Sequence, residues 1–126
     1  MEKDEVVLSP LPKTWIFDLD GTIVEHNGYL KNGKDSLLEG AKELFSSIPD
    51  DDMIVIVTSR KEQYRQITES FLKENDIRYD TIVWGAPFGE RILINDRKPS
   101  GLPTAVAVNK DRDAPVEFVY RIDEDL

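Results

Sequence analysis

The stretch WIFDLDGTIVEHNGYL, Trp15 to Leu30, runs an apolar segment into two carboxylates two residues apart and then into Gly-Thr. Acids are costly at the end of a buried strand unless a partner, an ion or a reaction compensates them. Asp18 and Asp20 therefore mark the place to begin. The chain leaves the strand at this point, so strict up-and-down alternation need not hold and both carboxyl groups can approach one locus. Gly21 lets the backbone turn closely past whatever they hold.

Working outward, KTWIFD (13–18) reads as a short buried strand. MIVIVTSR (53–60) is a continuous apolar run ending in hydroxyls and an arginine, which suits a strand covered on both faces, as in parallel sheets. Between them, Asn27-Gly28 and Asn32-Gly33 predict a small flap hairpin over 22–34. Asp35 and Ser36 then offer N-caps to a helix carrying Leu37, Leu38, Ala41, Leu44, Phe45 and Ile48, which Pro49 ends. A second helix is expected over 61–75, with Tyr64, Ile67, Phe71 and Leu72 on one face. YDTIVWG (79–85), RILIND (91–96) and TAVAVN (104–109) predict three more strands. The link GAPFGE (85–90) has no room for a crossover helix. Either the chain crosses there in extended form, or DTIVW is not a regular parallel strand.

Strands alternating with helices predict an α/β fold: a Rossmann-like three-layer sandwich with a mainly parallel central sheet. The 126 residues fit a single domain, with 1–12 as an N-terminal arm and 113–126 as a C-terminal arm or edge strand. A hydrophobic fraction of 40% against 33% charged residues is that of a globular chain. No apolar run is long enough for a membrane span, and MEKDEVVLSPLP lacks a secretory pattern, so the expected location is cytoplasmic. The chain has no cysteine and a single histidine, His26, which excludes disulfides, thiolate nucleophiles and multi-histidine metal sites. A net charge of −9 disfavours nucleic acid as a partner.

In open parallel sheets ligands sit beyond the carboxyl ends of the strands. Three polar clusters stand at such ends: Asp18-Leu19-Asp20, Thr58-Ser59-Arg60 and Asn95-Asp96-Arg97-Lys98. Asp18, Asp20 and Asp96 form an oxygen-only set suited to Mg²⁺. A carboxylate fixed beside a phosphate can attack phosphorus, and a second acid can protonate the leaving oxygen and then deprotonate water. The Thr58 hydroxyl, with Gly21, Thr22, Ser59 and Arg60, can hold phosphoryl oxygens. For Thr58 and Ser59 the simpler role, capping the helix that follows, is compatible with this one.

IFDLDGT, then IVIVTSR, then ILINDRKP together resemble the haloacid dehalogenase (HAD) superfamily of phosphohydrolases. The resemblance covers most of residues 13–109. It implies Asp18 as nucleophile, Asp20 as general acid/base that also lends its main-chain carbonyl to Mg²⁺, Thr58 as phosphate-binding hydroxyl, and Asp96 as a further metal ligand. Asn95 stands where some members carry a second acid. An acid at the position of Asp20 resembles phosphatases and phosphomutases rather than dehalogenases or transport ATPases.

The family's lone basic residue is ambiguous in this sequence. Arg91 precedes its strand and so lies at the wrong end. Lys73 and Arg78 reach the site only if the second helix ends near it. Lys98 is the first choice and Arg60 the second. Neither the interval from Asp20 to Thr58 nor that from Arg60 to Asp96 holds a lid domain, so the resemblance implies a capless member with an open site. Either the substrate is large or a neighbouring subunit of a homo-oligomer closes the site. His26 and Tyr29 on the flap are candidates to touch the leaving group. The expected activity is Mg²⁺-dependent hydrolysis of a small phosphorylated metabolite such as a sugar phosphate, through an aspartyl phosphate. The alternatives are a phosphatase of a polynucleotide or protein, and a non-catalytic phosphosugar-binding module.

Overall fold

The computed structural model describes residues 5–126 and divides the chain into two compact units. Residues 1–4 of the expected arm lie outside the described residues. The larger unit comprises residues 11–87 and 110–118 and carries a three-stranded parallel sheet. Its strands are β2 (Thr14–Asp18), β3 (Met53–Val57) and β4 (Thr81–Val83), in the order β2-β3-β4. Among the described residues, the smaller unit comprises residues 5–10, 88–109 and 119–126. It pairs β1 (Val6–Leu8) with β5 (Tyr120–Ile122), also in parallel. The C-terminal segment thus contributes one short strand, β5, to this unit. The architecture is α/β on parallel strands, of the Rossmann-like kind. Among the described residues no helix is long and apolar enough to cross a membrane.

In the larger unit β3 is the central strand because its residues are the most apolar. Ile54 and Ile56 share one face and are fully buried, while Val55 and Val57 on the other are half-buried. Leu19, Ile23 and Val24 from the turn after β2, Ala41 and Phe45 from α2 (Ala41–Ser47), and Leu72 from α3 (Arg65–Glu74) complete the core. Phe17 stacks on Trp15 at 6.1 Å and meets Phe45 at 4.5 Å, which fastens β2 to α2. Buried Asp52 accepts from the Trp15 indole at 2.9 Å and from the Lys13 amide at 3.0 Å, so it pins the start of β2 against β3.

Four expectations change. The segment over 22–34 is not a regular hairpin. Asn27 adopts φ 56° and opens a one-turn helix α1 (Gly28–Lys31), and only an isolated antiparallel bridge between Val24 and Leu37 closes the loop. Here Asn-Gly satisfies helix-end geometry instead of a two-residue turn. The first long helix begins at Ala41 rather than after Asp35 and Ser36, because Gly40 at φ 88° redirects the chain and Asp35 bonds elsewhere. RILIND and TAVAVN form no strand, and residues around them share only the bridge Arg97–Pro103. Ile92 and Ile94 are 83% and 90% exposed. Their β-branched side chains favour strand, but a strand needs a neighbouring backbone to pair with, and this segment has none assigned. Finally, α3 buries Thr68 and Leu72 while Ile67 is exposed, so its inward face is turned by one residue from the apolar stripe.

Gly40 shows how tightly the segment 110–118 closes on α2. A Cβ there would stand 2.3 Å from the Val116 carbonyl oxygen, in a left-handed conformation. Gly33 has a similar φ, 76°, but open space around it. Gly33→Ala should therefore cost about 1 kcal/mol, the conformational penalty alone. Gly40→Ala should cost about 2–3 kcal/mol more, because backbone must move. Urea unfolding of the two variants checks this; equal losses would contradict the packing of Val116 on Gly40.

Candidate active site

Parallel register brings Asp18, Val57 and Val83 level across the sheet. The residues that follow each of them therefore leave the same edge. After β2 the chain folds into a tight turn: the amides of Thr22, Ile23 and Val24 converge on the Leu19 carbonyl at 3.2, 2.9 and 3.2 Å. The turn buries Leu19 and leaves Asp18 and Asp20 half-exposed at the rim. Gly21 has φ 83°, and Arg112 Cγ lies 3.0 Å from where a Cβ would stand. The Thr22 hydroxyl donates to Asp18 Oδ2 at 3.0 Å, so it holds the first carboxylate rather than standing free for substrate.

After β3, buried Thr58 donates its amide to the Val83 carbonyl at 2.9 Å, and its Oγ1 accepts the Arg60 amide at 3.1 Å. The half-buried Ser59 hydroxyl stands 3.5 Å from the Pro87 carbonyl. The largest departure from the sequence reading is Arg60, expected to reach for substrate. Its side chain is only 1% exposed. Nε and Nη2 donate to the two oxygens of Asp20 at 3.0 and 2.9 Å. Nη1 and Nη2 donate to those of Asp35 at 3.0 and 2.6 Å, and Nη1 also donates to Thr68 Oγ1 at 2.8 Å. A guanidinium has five N–H groups, and all five are engaged. Arg60 therefore has no donor left for a phosphoryl oxygen.

The Tyr29 ring covers the guanidinium at 3.8 Å and meets the Tyr64 ring edge-on at 5.0 Å. Burial alone would lower the Arg60 pKa, but hydrogen bonds to Asp35 and Asp20 more than offset it, and the net shift is upward. Burial also raises the Tyr29 phenol, with Arg60 opposing. The flap residue expected to meet a leaving group is thus a lid over Arg60.

His26 donates its amide to Asp113 at 2.7 Å, and its Nδ1 is buried without a hydrogen-bond partner. The same segment brings in a cation the sequence reading missed. Lys110 Nζ donates to the Gly21 carbonyl at 3.1 Å, one residue beyond Asp20, and the Asp113 amide donates to that carbonyl at 3.0 Å. Its only signal in the sequence was a basic residue just after the apolar run TAVAVN.

Asp96 and Lys98 belong to the smaller unit and are exposed. There Asn95 Nδ2 donates to the Thr104 hydroxyl at 2.9 Å, the Thr104 hydroxyl bonds the Asp96 carbonyl, and the Lys98 amide donates to the Leu102 carbonyl at 2.9 Å. The structure thus joins Asp18, Asp20, Gly21, Thr22, Thr58, Ser59 and Arg60 within one unit, and Asp96 and Lys98 are not part of it. Among the described residues no group of three carboxylate or histidine side chains stands ready for a metal ion.

No family model matches this chain, and no curated protein matches it. Among solved structures, a chain from the structure of the Pnkp1/Rnl/Hen1 complex is 27% identical, with a TM-score of 0.51, over 66% of this chain and 31% of that one. A chain from the structure of the Pnkp1/Rnl/Hen1 RNA repair complex is 26% identical, with a TM-score of 0.51, over 72% of this chain and 30% of that one. This chain spans less than a third of either.

Removing a buried cation while its anions stay is the costly half of breaking an ion pair. Arg60→Met should destabilise the protein by about 3–5 kcal/mol. Arg60→Lys should recover less than half of that, since an ammonium cannot serve four carboxylate oxygens and a hydroxyl in a fixed fork. Denaturant unfolding measures both; an Arg60→Met variant as stable as the parent would contradict the buried clamp.

Proposed function

We propose that this chain is a Mg²⁺-dependent phosphomonoester hydrolase with Asp18 as nucleophile and Asp20 as general acid/base. What supports the reading most is one convergence: two carboxylates and the Thr58 turn leave adjacent parallel strands at the same carboxyl-end rim. The first two of the HAD-like motifs, IFDLDGT and IVIVTSR, run through these same residues.

Asp18 Oδ attacks phosphorus, and the P–O bond to the leaving group breaks with its electron pair on that oxygen. Asp20 gives this oxygen a proton. Water then attacks the same phosphorus, Asp20 takes a proton from it, and the Asp18–phosphorus bond breaks to release phosphate. Thr22 fixes Asp18 through its 3.0 Å hydrogen bond. Arg60 occupies one acceptor position on each Asp20 oxygen. A carboxylate has about four such positions, so Asp20 keeps room to exchange a proton. Lys110, rather than Lys98, is the cation assigned to the phosphoryl oxygens in the transition state, because it stands against the Asp20–Gly21 turn.

The donors at this rim are hard oxygens, which suit Mg²⁺. Asp18 and the Asp20 carbonyl would hold it. Bound there, the ion would offset the negative charge of Asp18 and the phosphate.

The preferred substrate is a small phosphorylated metabolite such as a sugar phosphate, because a net charge of −9 repels polyanions. A second reading, hydrolysis of a phosphate on a nucleic acid, draws on the likeness to chains of an RNA repair complex.

Purified protein should hydrolyse an aryl phosphate with added Mg²⁺ and lose that activity in excess EDTA. Asp18→Asn should reduce turnover by about 10³-fold or more, and Lys110→Ala should lower kcat by about 10²-fold. Among substrates, sugar phosphates should outpace 3′- or 5′-phosphorylated oligonucleotides; the reverse order supports the second reading. A folded protein with no turnover on any phosphoester, at any Mg²⁺ concentration, would overturn both in favour of a binding module.

A further inference from the structure

The side chain that Arg60 holds most closely, apart from Asp20, belongs to no motif. Asp35 lies in the loop before α2, its side chain is 3% exposed, and both its oxygens accept from Arg60, at 3.0 and 2.6 Å. Asp20 accepts from the adjacent edge of the same guanidinium, sharing Nη2 with Asp35, and is 17% exposed, so it alone of the two acids faces the rim. The guanidinium is planar and rigid, so anchoring one edge fixes the other. Thr68 from α3 and the Tyr29 ring close the remaining freedom. If Arg60 served only to neutralise Asp20, one carboxylate would suffice, and burying a second beside it would be an expense without return.

We propose that Asp35 is a positioning residue that sets the orientation of the Asp20 carboxyl group through Arg60. This rests on the reading of Asp20 as the group that protonates the leaving oxygen. Asp35 touches neither substrate nor the reacting atoms. It holds the guanidinium in the plane that presents the free side of Asp20 to the leaving group, and a small misplacement of a catalytic group is enough to cost a large factor in rate.

The chemistry supplies a readout that a merely structural role would not move. kcat/KM reports steps up to the first irreversible one, here phosphoryl transfer to Asp18. A leaving group as good as 2,4-dinitrophenolate departs without a proton, whereas an alkoxide needs one. The full-length protein, with Mg²⁺, is assayed on 2,4-dinitrophenyl phosphate and on an alkyl phosphate. In Asp35→Asn, kcat/KM on the alkyl phosphate should fall by about 10- to 100-fold and on the dinitrophenyl ester by less than about 3-fold, the smaller image of Asp20→Asn. Asp35→Glu, which keeps the charge, should restore part of the alkyl activity. Should Asp35→Asn fail to fold, Thr68→Val removes one Arg60 acceptor without changing any charge. It should show the same selective loss, by about 3- to 10-fold. Equal losses on both esters in a folded variant, or none, would overturn the positioning role. If Asp20→Asn itself fails to discriminate between the esters, the assignment of the acid falls first. If Asp18→Asn retains activity on both, the proposed hydrolase mechanism falls instead.

Discussion

The candidate site rests on one buried guanidinium. Arg60 follows β3 in the chain but binds backward to Asp20 after β2 and sideways to Asp35 before α2, and it meets Thr68 in α3. Four separate pieces of sequence are therefore joined at one planar group. Two of its partners are acids, so three ionisable groups meet in a largely dry place. Such an arrangement adds little to stability over a well-packed apolar core, but breaking it in part is expensive. That asymmetry makes the geometry unforgiving, and an unforgiving geometry is useful where a carboxyl group must be held at a fixed angle.

The parallel sheet explains why the cluster sits where it does. With Asp18, Val57 and Val83 in register, the turns that follow leave a shared rim. The backbone there is stitched across strands, with the Gly85 amide on the Arg60 carbonyl at 2.8 Å and the Ala86 amide on the Thr58 carbonyl at 3.0 Å. Rigid loops at a sheet edge are a scaffold for many chemistries, and the fold alone does not choose among them. The choice made above comes from the residues: an acid pair in one turn, a hydroxyl-bearing turn beside it, and a lysine, Lys110, drawn in against Gly21.

The central strands and both long helices were legible in the sequence because their signals are local. MIVIV is apolar without alternation, and Leu44, Phe45 and Ile48 recur at helical spacing. The rim position of Asp18 and Asp20 was legible for the same reason. What the sequence concealed was partnership. Asp35 looks like a helix cap and Arg60 like a phosphate ligand, until the fold shows that each satisfies the other. Thr68 is polar and so breaks the apolar stripe of α3, yet it faces inward because Arg60 needs an acceptor there. RILIND shows the opposite error: its propensity is strong, but pairing is a property of two strands, and no propensity supplies the second. Lys110 lies far from the acid motif in sequence, and only the packing of the segment 110–118 within the larger unit brings it in.

The central claim is that Arg60 is locked, with every donor engaged. NMR of the ¹⁵N-arginine-labelled protein measures this directly. A locked guanidinium predicts separately resolved Nη1 and Nη2 signals for Arg60, slow rotation about its Nε–Cζ bond, and loss of that resolution in Asp35→Asn. A single averaged Nη signal for Arg60 in the unmodified protein would contradict the account.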